Sequence, residues 1–106
     1  MGSLEQRSIR PGAPRLSREQ LDVLLAELPG WRLDESGRVS KRFGFDDYRA
    51  AVAFANRVAE LAIRDDHHPD LLVSYGAVTV SYVTHDAAGV TENDAISAAR
   101  VERLAR

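Results

Sequence analysis

Eight residues near the C-terminal end, Val78-Thr79-Val80-Ser81-Tyr82-Val83-Thr84-His85, restrict the fold more than any other stretch. They alternate, with Val78, Val80 and Tyr82 on one side and Thr79, Ser81, Val83 and His85 on the other. Side chains of a strand point to opposite faces in turn, so the run reads as an antiparallel strand with one face in a core. Such a strand needs partners. Leu71–Tyr75, across the Gly76-Ala77 break, supplies one, and Trp31–Leu33 with Val39–Phe45, joined through Glu35-Ser36-Gly37, reads as a hairpin. The 78–85 run is also a candidate for edge-to-edge pairing with a second copy.

Helical patterns separate the strand pairs. Ser17, with Gln20 three residues on, forms a capping box before the apolar face Leu21, Leu24, Leu25 and Leu28, and Pro29-Gly30 stops that helix. Asp46 or Asp47 caps a long Ala-rich helix to about Arg64. Its polar positions fall in an arc of roughly 100°, leaving an apolar arc of roughly 220° where one core needs about 100°. Tyr48, Val52, Ala55, Ala59 and Ala62 line one side of that arc, Phe54, Val58 and Leu61 the other, which fits either a deeply sunk helix or a second contact with another subunit. Thr91, with Asp94, caps a last helix through Ile96, Ala99, Val101 and Leu104. The order α-β-β-α-β-β-α implies an α+β fold, a four-stranded antiparallel sheet with three helices on one face.

At 106 residues and 44% hydrophobic content the chain suits one domain. We place it at 16–106. Residues 1–15 hold three arginines, two prolines and only two isolated aliphatics, and are expected to form a flexible tail. Met1-Gly2 starts like an acylation signal, but Gln6 stands where that motif needs Ser or Thr. A net charge of −2 without a basic run argues against direct nucleic-acid binding, and no apolar run is long enough to span a membrane. With no cysteine and no apolar leader, the expected address is the cytoplasm.

All three histidines lie in two short segments, Asp65-Asp66-His67-His68-Pro69 and Thr84-His85-Asp86. An imidazole exchanges protons near neutral pH, so their concentration points to acid–base work. Pro69 biases His68 toward extended backbone, which makes His67 and His68 point apart. That splay, and the lack of paired helical histidines, argues against a metal site, and no metal is expected. Asp66 or Asp86 is placed to orient an imidazole. No serine sits on a sharp glycine-flanked turn, and there is no glycine-rich phosphate loop.

Asp66-His67-His68-Pro69, Tyr75, Thr84-His85, Ala88-Gly89 and Asp94, with Pro29-Gly30-Trp31, Phe43-Gly44-Phe45-Asp46 and Arg57-Val58-Ala59, resemble the pterin-4a-carbinolamine dehydratases over roughly residues 17–104. The resemblance implies a four-stranded antiparallel sheet carrying three helices. It also implies dehydration of 4a-hydroxytetrahydropterin to quinonoid dihydropterin, without metal or other cofactor, the pterin being the substrate. By the same resemblance His67, His68 and His85 are the catalytic candidates. His67 and His85 form the acid/base pair, while His68 and Asp66 bind or orient the pterin. Trp31, Pro69, Thr84, Asp86, Ala87 and Asp94 complete the expected substrate-binding set, although Trp31 serves equally well as a core residue closing the hairpin. The chain departs from the family pattern at Ile63, Leu71 and Asn93, which stand where an acidic, an aromatic and a basic residue are usual. A homodimer or homotetramer is expected. A competing role, also implied by the family, is a dimerisation module for a homeodomain transcription factor acting through the 46–64 helix. A third is dehydration of another pterin, such as one related to the molybdenum cofactor.

Overall fold

Alternation along the 77–82 segment forces a partner on each side, and both are present. The computed structural model describes residues 3–106; Met1 and Gly2, the first residues of the expected tail, lie outside the described residues. The elements are α1 (Arg18–Leu25), β1 (Arg32–Leu33), β2 (Val39–Gly44), α2 (Tyr48–Asp65), β3 (Asp70–Ser74), β4 (Ala77–Tyr82) and α3 (Glu92–Ala105). Single 3-10 turns occur at Leu4–Gln6 and His85–Ala87. The strands are antiparallel in the order β1-β2-β4-β3. This is the α+β order the periodicities predict.

The register brings apolar side chains together on the inner face of the sheet, with Lys41 beside Val80 as the exception, its ammonium paired with Glu102 of α3. Phe43 and Val73 flank Val78, Leu71 lies beside Val80, and Val39 lies beside Tyr82. Val78, Val80 and Tyr82 are fully buried, each such side chain contributing on the order of 1.5–3 kcal/mol. Phe54, Val58 and Leu61 of α2 and Ile96 and Val101 of α3 close over them. Phe54 stacks at 4.9 Å from Phe43 and 5.1 Å from Phe45, tying the end of β2 to α2. On the outer face Ser40 and Ser81 share a 2.8 Å hydroxyl hydrogen bond, and Leu72 is exposed.

Three expectations change. β4 ends at Tyr82, so His85 starts a 3-10 turn instead of ending a strand. β4 is also interior, because β2 and β3 take both of its hydrogen-bonding edges; β3 is the free edge beside it. The wide apolar arc of α2 is used in part. Ala51, Phe54, Ala55, Val58, Leu61 and Ala62 are buried within the chain, whereas Tyr48 and Ile63 stay exposed and Val52 and Ala59 half-buried.

From Ser3 onward the expected flexible segment 1–15 is packed along α3, with Leu4 and Ala13 buried. Polar clamps hold it where apolar spacing is lacking. Arg100 donates to the carbonyls of Glu5 (3.0 Å) and Arg7 (2.7 Å), and Asn93 bonds both the N–H (3.1 Å) and the carbonyl (2.6 Å) of Arg10. Arg15 pairs with Thr91, and Leu16 donates to Val90 O at 2.8 Å. Among the described residues no helix is long and apolar enough to cross a membrane.

The β1–β2 turn is built on one carboxylate. Asp34 accepts from the Ser36 and Arg38 N–H groups at 2.9 and 3.1 Å and from the Ser36 and Ser40 hydroxyls at 2.7 and 2.6 Å. Burial alone would raise its pKa, but the Ser40, Ser36 and backbone hydrogen bonds outweigh burial and bring it from 3.8 down to about 2. A depressed carboxylate adds stability above its unfolded pKa and loses it as the pH falls toward the folded value. The wild type should therefore lose stability between pH 4 and pH 2 more steeply than Asp34→Asn, measured as urea midpoints across that range. Parallel curves would show that this turn does not titrate with folding.

Candidate active site

The end of α2 directs the first histidine segment. Asp66 takes left-handed backbone (φ 51, ψ 41), and the His67 N–H reaches back to Ala62 O at 3.2 Å, the hydrogen-bond pattern that closes a helix through a residue of positive φ. The reversal turns His67 inward between α2 and the start of α3. There its Nε2 lies 2.6 Å from Asp94 Oδ1, and its ring lies parallel to Tyr82, 3° between planes and 5.7 Å between centroids.

Asp94 has no exposed side-chain surface. Its Oδ2 accepts from the Thr91 N–H and from the Thr84 hydroxyl, both at 2.8 Å. A carboxylate only accepts, so Nε2–H of His67 is the donor to Oδ1, and the tautomer follows: Nδ1 is the nitrogen left for chemistry. Among the described residues Nδ1 has no hydrogen-bond partner. Tyr82 stays protonated beside it. Burial, then the negative charges of Asp65 and Asp94, push its phenol well above the usual value of 10.

The second segment hangs on a small closed loop. Thr84 and Gly89 pair through N–H···O contacts of 3.1 and 3.4 Å, and Ala88 adopts φ 55, so His85, Asp86 and Ala87 are held out on a tight turn. His85 and Asp86 are exposed. His68 is 62% exposed, with Nε2 3.8 Å from the exposed Asp66, a loose pair in water.

Two adjoining hollows open at these residues. The smaller, about 390 Å³, is lined by all three histidines together with Asp66, Pro69 and Thr84. The larger, about 600 Å³, is lined by His67, Asp65, Ala87 and the segment Ile9–Arg15. Asp66, His67, Thr84 and Asp86 border both. Among the described residues no group of three His, Asp or Glu side chains is arranged to hold a metal.

Most of the expected site residues therefore meet, namely His67, His68, His85, Asp66, Pro69, Thr84, Asp86 and Ala87. Two do not serve as expected. Trp31 is a core residue: 5% exposed, it packs against Phe43 and Tyr82 and donates its indole N–H to Glu102 at 3.0 Å. Asp94 is sealed behind His67 with both oxygens engaged, holds the imidazole and lines neither hollow. Ile63 is 72% exposed on α2. Asp65 is no free acid. Burial works to raise its pKa, but ion pairs with Arg100 (2.9 Å) and Arg64 (3.1 Å) prevail and keep it low. Tyr82, Asn93 and the 9–15 wall were not foreseen. Tyr82 is legible as an inner-face residue but not as the backing of a ring, and residues 9–15 carry no periodic signal.

The family profile described as pterin 4 alpha carbinolamine dehydratase matches residues 14–104. This chain belongs to that family. A protein of Xanthomonas campestris pv. campestris (strain 8004), named "Putative pterin-4-alpha-carbinolamine dehydratase", is 47% identical over 91 residues, covering 85% of this chain and 77% of that one. A protein of the same name from Stenotrophomonas maltophilia (strain K279a) is 46% identical over 91 residues, covering 85% and 78%. Among solved structures, a transcriptional coactivator/pterin dehydratase from Brucella melitensis superposes with a TM-score of 0.81 at 31% identity, covering 87% of this chain and 99% of that one. The dehydratase family match spans both histidine segments and α3, and leaves residues 1–13 outside it.

Asp94→Ala removes a buried acceptor from three donors at once, so it should cost about 2–4 kcal/mol in urea unfolding. Asp94→Asn keeps the shape and one acceptor and should cost less. Equal stability of Asp94→Ala and wild type would show that the carboxylate does not hold this corner.

Proposed function

We propose that the protein dehydrates a pterin-4a-carbinolamine, 4a-hydroxytetrahydropterin, to quinonoid dihydropterin and water. The observation that carries the reading is the His67 imidazole, fixed at Nε2 by a sealed carboxylate, with no partner on Nδ1 among the described residues, in a residue that lines one hollow with His68 and His85. The reaction breaks the C4a–O bond as a proton reaches the departing hydroxyl, which leaves as water. A ring nitrogen loses its proton, and that electron pair forms the new C=N bond. Two proton transfers at neighbouring ring atoms suit two imidazoles that line one hollow. His67, oriented by Asp94 and backed by Tyr82, takes one transfer, and His85, on the 84–89 loop, takes the other. His68 and Asp66, exposed at the rim, bind or orient the ring with Pro69 and Ala87. The pterin is substrate, and no cofactor or metal enters.

His67→Ala and His85→Ala should each lower kcat/KM at least about tenfold, and the double variant should fall near the spontaneous rate, since a positioned acid or base typically gives ~10²–10⁴-fold. His68→Ala should chiefly raise KM. The rates are read against the uncatalysed dehydration, with folding checked by circular dichroism. A wild type no faster than the spontaneous reaction ends the enzyme reading in favour of a binding module.

The stripe Tyr48, Val52, Ala59 and Ile63 on α2 supports a self-association surface alongside the enzyme reading. These residues fall at helical spacing on one face, and a two-fold contact would bury the same stripe twice. Ala59→Glu, half-exposed in the single chain, should shift a dimer or tetramer to a smaller particle in light scattering. Ala55 is buried in the core and is not a usable site for that test.

A further inference from the structure

His67 is locked by a buried carboxylate and an aromatic ring, whereas His85 is exposed and takes its position from the backbone that carries it. That backbone is a turn closed by the Thr84–Gly89 pair, with the left-handed Ala88 inside it. A non-glycine residue in that conformation is strained, and such a turn persists only where its surroundings fix it. The incoming leg is fixed from within the fold: the Thr84 hydroxyl lies 2.8 Å from Asp94 Oδ2 and 2.9 Å from the Thr91 hydroxyl. The outgoing leg is held from the other side, by Arg15 and Leu16.

Residues 89–91 run between two partners. Thr84 pairs with Gly89, while Arg15 pairs with Thr91 and the Leu16 N–H donates to Val90 O at 2.8 Å. The Arg15 side chain lies across Gly89. A Cβ added to Gly89 would stand 2.7 Å from Arg15 Nε, 2.9 Å from Cδ and 3.1 Å from Cγ, well inside the ~3.5–4.0 Å at which non-bonded heavy atoms rest. Backbone conformation does not demand a glycine there, since Gly12, Gly30 and Gly37 have positive φ and Gly89 does not. What the missing Cβ leaves room for is the arginine.

The stem makes this contact. Cγ, Cδ and Nε are the atoms nearest to Gly89, and the residue as a whole is exposed. A long cationic side chain lays its methylenes on a surface in this way while its head stays in water. The backbone beneath it is anchored on both flanks, by the buried Ala13 and by the Ser17 cap of α1.

We propose that Arg15 is a positioning residue for His85, its stem lying on Gly89 to hold the Thr84–Gly89 closure and with it the turn that presents the imidazole. The kinetic consequence rests on the dehydratase reading, whereas the closure is read without turnover by amide exchange. In Arg15→Ala the Thr84 N–H, which donates to Gly89 O, should exchange at least about tenfold faster than in wild type at equal global stability. Its kcat should fall about tenfold while KM stays within about twofold, because a displaced acid or base is missed chiefly in the transition state. Arg15→Lys and Arg15→Met keep the stem and should keep both the protection and kcat. Gly89→Ala should reproduce Arg15→Ala, and the double variant should be no slower than either, as expected of two changes to one contact. If Arg15→Ala does not fold, Gly89→Ala decides, because it displaces the stem without removing it. In a His85→Ala background, Arg15→Ala should lower kcat no further.

Unchanged exchange and kcat in Arg15→Ala overturn the proposal. Loss of kcat in Arg15→Met with Arg15→Lys intact also overturns it, by assigning the role to the charge. A further loss in the His85→Ala background does so by showing that Arg15 acts apart from His85. A wild type no faster than the spontaneous reaction ends the dehydratase reading and the kinetic role of Arg15 together, and the exchange rates alone then show whether the stem holds the turn.

Discussion

A single buried carboxylate joins three parts of the chain. Asp94 receives the N–H of Thr91 at the start of α3, the hydroxyl of Thr84 at the base of the 84–89 loop, and Nε2–H of His67 past the end of α2. An ionised group without solvent is tolerated only when its lone pairs are engaged, and charge-assisted hydrogen bonds of 2.6–2.8 Å are the strong kind. The cap that starts the last helix is therefore the same interaction that orients the imidazole. Thr91 and Thr84 are near neighbours in sequence, but His67 stands 27 residues away past the end of α2, so its bond forms only when α2 and α3 are packed together.

The same helix organises the opposite side of the site by different means. Asn93 and Arg100 project from α3 onto the backbone of residues 5–10, and Arg100 also meets Asp65 at the end of α2. Leu4 and Ala13 are buried and Ile9 packs against the core, while the hydrogen bonds to carbonyls fix the path of the backbone between them. Asn93 offers a donor and an acceptor at once. A backbone N–H and C=O pair requires that combination, and a lysine or arginine cannot supply it.

Tyr82 links the core to the chemistry. It is the last inner-face residue of β4, fully buried, with Val39 beside it in register and His67 parallel to its ring. The sheet thus gives the imidazole a rigid backing, and a histidine locked by packing and by a buried acceptor loses little freedom on meeting a ligand.

Periodicity and capping chemistry were enough to derive the α-β-β-α-β-β-α order, the antiparallel sheet, the cap Ser17, the choice of Asp46 or Asp47 for the long helix (Asp47 is the cap) and the inner-face residues of β4, because these depend on neighbours within a few positions. The histidine cluster was legible too, since composition alone concentrates every imidazole in two segments. Only the tertiary structure decided that Trp31 belongs to the core, that β4 is interior, that Asp94 lies behind His67 and lines neither hollow, and that residues 3–15 lie along α3. Each of those depends on a partner many positions away: Glu102 for Trp31, β2 and β3 for β4, His67 for Asp94, Asn93 and Arg100 for the N-terminal segment. Local pattern carries the hydrophobic period and the cap, whereas a hydrogen bond between a side chain and a distant backbone leaves no period to read.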